Sequence, residues 1–202
     1  MPKFNNILIV GLGMMGGSLC KSIKKNKLSK KISAFDTNQD ALSYALKNRI
    51  INYKVTDLGK MEHPDLIIIC TPLSSYTSIV KKILICIKKS TLVTDIGSSK
   101  GSVHRTITKL FHDSNKCFLS SHPMVGSEKS GVKFNRKDMY KNKVVFIIDK
   151  DSSSEKTYYK LKNFWESIGS ITHEIDSKTH DILMSQTSHV AHLMSYIFVK
   201  SL

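Results

Sequence analysis

The chain has no closely spaced cysteine pair. Its four cysteines, Cys20, Cys70, Cys86 and Cys117, show neither C-x-x-C spacing nor the density of a disulfide scaffold, which argues against a cystine-stapled fold or structural zinc and for buried or partly buried thiols. Long apolar runs are missing too: residues 66–70 form a run far too short to span a bilayer, and no signal-peptide pattern opens the sequence. A cytoplasmic protein with no membrane partner is expected. Acidic residues are the minority, 16 against 31 Lys and Arg, for a net charge of +15. The lysines are spread along the chain without interleaved aromatics, as at Lys24-Lys25, Lys81-Lys82 and Lys88-Lys89, so they read as solvated faces rather than a nucleic-acid surface. The positive field can still raise the encounter rate with an anionic substrate. Internal repeats are absent, and 202 residues suffice for one large domain, or one domain and the beginning of another.

What is present begins at the N-terminus. An apolar strand, Ile7-Leu8-Ile9-Val10, runs directly into Gly11-Leu12-Gly13-Met14-Met15-Gly16 and then into helix-forming residues. In G-x-G-x-x-G the first glycine permits a tight turn, the second lets backbone approach a pyrophosphate, and the third lets helix and strand pack closely. The helix start then offers unpaired N–H groups and its positive dipole end to the anion. A second strand pattern, Ile32-Ser33-Ala34-Phe35, ends in Asp36, 20 residues beyond Gly16. An acid there accepts hydrogen bonds from ribose hydroxyls and repels a 2′-phosphate, so NAD is expected over NADP. The alternative makes Asp36 a turn or N-cap residue.

Strand and helix patterns then alternate, which predicts an α/β fold: a Rossmann-like, doubly wound, mostly parallel sheet over residues 1–176. Helices are expected over 40–47, 75–87 and from residue 100 to about 111, with strands over 52–55, 66–70, 91–94, 116–120, 144–148 and 170–175. Ser152-Ser153-Ser154-Glu155 reads as a capping box opening a helix to about Ile168. Ligands of open parallel sheets sit at the carboxyl ends of strands, so Thr71-Pro72 and the turn at Gly97-Ser98 should face a cofactor cleft. The loop from His122 to Gly131 is rich in functional side chains, and Pro123 restricts His122 to extended backbone.

From about residue 177 a long helix pattern runs to the end of the sequence. Ser185, Ser188, His189 and His192 recur by three and four and so share a face. Two histidines at that spacing fit either a metal pair or solvent-facing and satisfied rings; with no H-E-x-x-H and no third ligand, no metal site is expected.

Taken in order, the glycine motif with Asp36, Gly97-Ser98-Ser99-Lys100-Gly101, His122-Pro123-Met124-Val125-Gly126-Ser127-Glu128-Lys129-Ser130-Gly131, His180-Asp181 and Ser188-His189-Val190-Ala191-His192 resemble the prephenate/arogenate dehydrogenase family over nearly the whole chain. The resemblance implies an NAD-dependent oxidoreductase that oxidises and decarboxylates a cyclohexadienol, prephenate or arogenate, in tyrosine synthesis. It implies that His122 is the catalytic histidine on the ring hydroxyl with Ser98 beside it, and that His192 binds substrate; His189 is expected to face the substrate with His192, and Ser127 to be a polar substrate contact in the loop. Gly11, Leu12, Gly13, Met14, Met15, Gly16, Asp36, Thr71 and Pro72 would hold the cofactor. Residues 177–202 would begin a truncated all-helical substrate and dimerisation domain, with a homodimer expected where that domain is complete. Ser98 and Ser127 have alternative readings as a helix cap and a turn residue.

Two departures stand out. Val190-Ala191 replaces a Leu-Pro pair common in relatives, so a proline-induced irregularity is not expected there. The arginine that clamps a substrate carboxylate in the family lies in a region not represented here; Lys100 and Lys129 are candidate substitutes, neither assigned. The other readings are arogenate dehydrogenase, a β-hydroxyacid or imine-type enzyme of the same cofactor fold, and a non-catalytic NAD-binding fragment.

Overall fold

The computed structural model describes residues 3–201, apart from the side chains of Ser102, Ser188, His189, Ala191, His192 and Leu193. Strand β1 (Phe4–Val10) sends Ile7 and Ile9 to one face of its sheet and Leu8 and Val10 to the other, and all four are buried. That is what a strand covered on both faces requires, and it explains an apolar run with no polar alternation. β4 (Leu66–Ile69) repeats the pattern, Leu66 and Ile68 facing one core, Ile67 and Ile69 the other. The first core is closed by Leu19 and Ile23 of α1 (Met14–Lys25), Leu42 of α2 (Gln39–Lys47) and Phe164 of α5 (Glu155–Ser167). The second is closed by Ile79 and Ile83 of α3 (Tyr76–Cys86) and Ile107 and Phe111 of α4 (Ser102–Asp113).

With β2 (Ser29–Phe35), β3 (Tyr53–Lys54), β5 (Leu92–Asp95) and β6 (Cys117–Phe118), these strands form a six-stranded parallel sheet in the order β3-β2-β1-β4-β5-β6. This is the doubly wound Rossmann order, and its direction reverses between β1 and β4, where ligands bind.

The later strands differ from the expected continuation. β7 (Ser121–Pro123), β8 (Val144–Ile148) and β9 (Ile171–Ile175) make a separate three-stranded sheet, with β7 antiparallel to β8 and β8 parallel to β9. His122 therefore lies on a strand, opposite Phe146, and not in the loop assigned from sequence. Pro123 accounts for this: it holds His122 extended and, lacking an N–H, sits at the strand's end. The segment between β7 and β8 packs on α1, where Arg136 N–H donates to Ser18 Oγ (2.9 Å) and Tyr140 Oη to the Met15 carbonyl (2.9 Å).

Two helix boundaries also move. α5 is capped by Ser154, whose Oγ accepts from Thr157 N–H, two residues after the predicted box; Asp149 and the turn at 150–152 delay the start. The expected continuous C-terminal helix is α6 (Ser177–Met184), a π-helical turn (Ser185–His189) and α7 (Val190–Lys200). An irregularity exists here without proline, because a residue has been inserted into the hydrogen-bond ladder. Among the described residues, no helix is long and apolar enough to cross a membrane.

Candidate active site

Where the sheet order reverses, Gly11 adopts φ +96°, a left-handed conformation that L side chains rarely hold. A Cβ there would also lie 2.8 Å from the Cys70 carbonyl carbon. Gly16 is closed in as well, but a Cβ on Gly13 would meet nothing within 4 Å. The open face of Gly13 is the helix start itself, for Gly13 is the N-cap of α1, makes no side-chain cap bond, and is followed by a first turn without acids. Open space, uncapped N–H groups and a positive helix end together fit a pyrophosphate. Gly11 and Gly16 thus shape the turn from within, and Gly13 forms the cradle.

Two clefts meet at Gly13. One, of 480 Å³, is lined by Leu12, Asp36, Asn38 and Tyr44. The carboxylate of Asp36 accepts from Leu12 N–H (2.5 Å) and Asn38 N–H (2.8 Å), which ties β2 to the glycine turn. The helix that follows is capped by Asn38, so Asp36 is a turn residue but not the N-cap. The other cleft, of 580 Å³, is lined by Met14, Met15, Thr71, Pro72, Ser98, His122 and Ser127. The structure therefore brings Gly13, Met14, Met15, Thr71 and Pro72 into one cleft with Ser98, His122 and Ser127, while Leu12 and Asp36 line the adjoining one. Ser98 is exposed and does not cap α4, whose N-cap is Gly101. Ser127 Oγ accepts from Lys129 N–H (3.2 Å), the turn contact of its alternative reading, while still lining the cleft. The side chains of His189 and His192 lie outside the described residues.

His122 is 8% exposed at the cleft wall, and its Nδ1 lies 2.8 Å from Nε2 of His180 on α6. His180 is fully buried, edge-on to the ring of Phe146, and its Nδ1 lies 2.9 Å from Oδ1 of Asp181. The same oxygen accepts from Lys100 N–H at 2.8 Å, which anchors α6 to the loop before α4. Burial pushes the His180 pKa below its ordinary value of 6.5; Lys100 adds to this, while Asp181 and Asp95 oppose it.

Lys100 is not available as a substrate cation. Its Nζ is buried 2.8 Å from Asp95 Oδ2 and 3.1 Å from the Ser121 carbonyl. Burial would raise the Asp95 pKa, but the Lys100 charge, with hydrogen bonds from Lys100, Ser120 and Gly97, brings it below the usual carboxylate value. The pair fastens the end of β5 to β7 and so places His122. Lys129 lines the cleft with its ammonium 5.6 Å from the ring centre of Phe134.

His180-Asp181 stands in the sequence among the motifs of the resemblance without a site role of its own. The available signal was spacing: His180 and Met184, four apart, are the buried residues of α6. A histidine on the apolar stripe of a helix needs a buried partner.

Comparison with known proteins agrees with this geometry. Prephenate dehydrogenases of Lactococcus lactis subsp. cremoris (strain MG1363) and Bacillus subtilis (strain 168) are 29% and 28% identical over 96% and 95% of the chain. The chain spans 52% of the length of each of these curated relatives. The crystal structure of prephenate dehydrogenase from Aquifex aeolicus in complex with hydroxyphenyl propionate and NAD+ superposes with a TM-score of 0.91 at 30% identity, covering 98% of this chain and 69% of that one. Residues 19–173 match the family described as prephenate dehydrogenase, nucleotide-binding domain. On that match and that superposition, the chain belongs to the prephenate dehydrogenase family.

Proposed function

We propose that the protein catalyses the NAD-dependent oxidative decarboxylation of prephenate to 4-hydroxyphenylpyruvate, the step toward tyrosine. The observation that carries this reading is that His122, held by a buried partner, lines the same cleft as the uncapped start of α1. The backbone of Gly13, Met14 and Met15 would hold the pyrophosphate, Asp36 would accept from the ribose hydroxyls, and Thr71 and Pro72 would line the nicotinamide end. Bound there, NAD supplies the hydride acceptor. His122 takes the proton of the C4 hydroxyl as that carbon loses hydride and becomes a carbonyl. The ring C1–carboxylate bond then breaks, its electron pair enters the ring, and carbon dioxide leaves. The proton held by His122 returns to the oxygen to complete the phenol. Ser98, in the same cleft, orients that oxygen, and Ser127, His189 and His192 contact the substrate. Aromatisation drives the reaction forward.

The same reading takes residues 1–176 as the cofactor domain and 177–202 as the beginning of the helical one. Exposed apolar residues of α7, among them Met194, Ile197 and Phe198, support a homodimer formed through that domain. The free state of all four cysteines supports a cytoplasmic location.

The test follows NADH absorbance with prephenate and, separately, with arogenate. NADH formation with prephenate is the expected result. His122→Asn should keep NAD affinity and lose about 100-fold or more in turnover; full turnover in that variant would remove His122 from the mechanism. NADH formation with arogenate alone would move the substrate to the amino analogue, and NAD binding with neither substrate turned over would make the chain a cofactor-binding unit.

A further inference from the structure

The contacts behind His122 run in a line: Asp181 Oδ1, 2.9 Å to His180 Nδ1, and His180 Nε2, 2.8 Å to His122 Nδ1. An ionised carboxylate only accepts hydrogen bonds, and a neutral imidazole has one donor and one acceptor. These two rules fix the direction of every bond in the line. His180 must donate from Nδ1 to Asp181, which leaves its Nε2 as an acceptor, and His122 must then carry its proton on Nδ1. We propose that His180 and Asp181 are positioning residues which lock His122 in its Nδ1–H tautomer, so that Nε2 is the atom that takes the substrate proton. The proposal rests on the reading of His122 as the base and extends it to the atom.

The opposite polarity would require His180 to donate from both nitrogens, as an imidazolium. Several charged and titratable groups bear on that ring: His122 on β7, Asp181 beside it on α6, Lys100 from the loop before α4, and Asp95 at the end of β5; from β8 it meets the uncharged ring of Phe146. Burial and the Lys100 ammonium outweigh the two carboxylates and favour the neutral ring. When His122 gains the substrate proton, its new charge is shared with a line that ends in an anion. Asp181 thus stabilises the imidazolium without touching substrate, and the bond from Lys100 N–H keeps its carboxylate aimed at His180. A base whose tautomer is set in advance spends nothing on reorganisation when substrate arrives, and the wrong tautomer presents a donor where an acceptor is needed.

The tautomer can be read directly. Protein labelled with ¹⁵N-histidine, its His122 signals identified by their loss in His122→Asn, should show a protonated Nδ1 and an unprotonated Nε2 at neutral pH. In His180→Phe that preference should weaken or invert and kcat should fall about tenfold or more, with NAD affinity unchanged. His180→Gln, whose amide oxygen can still accept from Nδ1, should recover part of the loss. In Asp181→Asn the acid limb of kcat/KM should move to lower pH, because the anion that favours the imidazolium is gone; this variant decides the matter if His180→Phe does not fold. A wild-type His122 protonated on Nε2 overturns the proposal, as does a folded Asp181→Asn with the wild-type pH profile. Full turnover in His122→Asn instead overturns the assignment of the base, a separate result from the tautomer.

Discussion

Gly16 and Gly11 touch so closely that a methyl group on Gly16 would stand 2.1 Å from the Gly11 carbonyl oxygen. The obstacle is backbone, which cannot rotate aside as a side chain would. Gly16→Ala should therefore lose about 1–3 kcal/mol of stability together with NAD binding. Gly13→Ala separates the two effects, because its added methyl enters open space. That variant should stay within about 1 kcal/mol of wild type in urea denaturation while its NAD affinity falls at least about tenfold, since the methyl occupies the pyrophosphate cradle. Unchanged affinity in Gly13→Ala would mean that no phosphate approaches the backbone there.

Asp36 holds two backbone N–H groups and lines the outer cleft, so its removal should be felt twice. Asp36→Ser should destabilise the glycine turn by about 1 kcal/mol. It should also lower the NAD-to-NADP preference, read as the ratio of dissociation constants, by about tenfold or more, because the charge that repels a 2′-phosphate is gone. A constant ratio would leave Asp36 as a turn residue alone.

Lys100 and Asp95 are buried together, with side chains 0% and 3% exposed. Breaking such a pair from one side strands the other charge, and Lys100→Met should cost about 3–5 kcal/mol. Adding Asp95→Asn should restore part of that loss, a coupling that urea denaturation followed by the emission of Trp165 can measure. Additive losses in the double variant would show that the two groups do not depend on each other.

Stability should fall as pH drops below about 6.5. Burial holds the pKa values of both His104 and His180 below 6.5 in the folded protein. Above that pH neither state binds the protons; below it the unfolded chain takes them up first, and stability declines. Below 3.8 Asp95 adds to the decline, because its folded carboxylate resists a proton that the unfolded chain accepts. Denaturation midpoints measured on either side of pH 6.5 check the histidine part; equal midpoints would show that protons bind both states alike there.

The parallel sheet was legible because its signals are local. A run such as Leu66–Ile69 is apolar on both faces, and the glycine spacing ties a turn to a strand and a helix on either side. The second sheet was not, since the pairing of Ser121 with Ile147 is a choice among distant edges that no residue pattern encodes. Among site residues, His122 was found through its neighbours in sequence. His180 is not legible in this way, because its contact with His122 spans 58 residues. Lys100 reads from sequence as a candidate free cation, for sequence carries no record that Asp95, five residues earlier, claims it in the interior.

The π-helical turn at Ser185–His189 changes how the end of the chain must be counted. A helical wheel drawn through α6 and continued at an even pitch loses its register there, because one surplus residue turns everything downstream by about 100° relative to an uninterrupted α-helix. Stripes on α7 therefore have to be measured from Val190, and substitutions planned by threes and fours from Ser177 onward would land on the wrong side. Deleting a single residue within the turn would restore even winding and swing the aromatic positions Tyr196 and Phe198 by more than a quarter of a revolution.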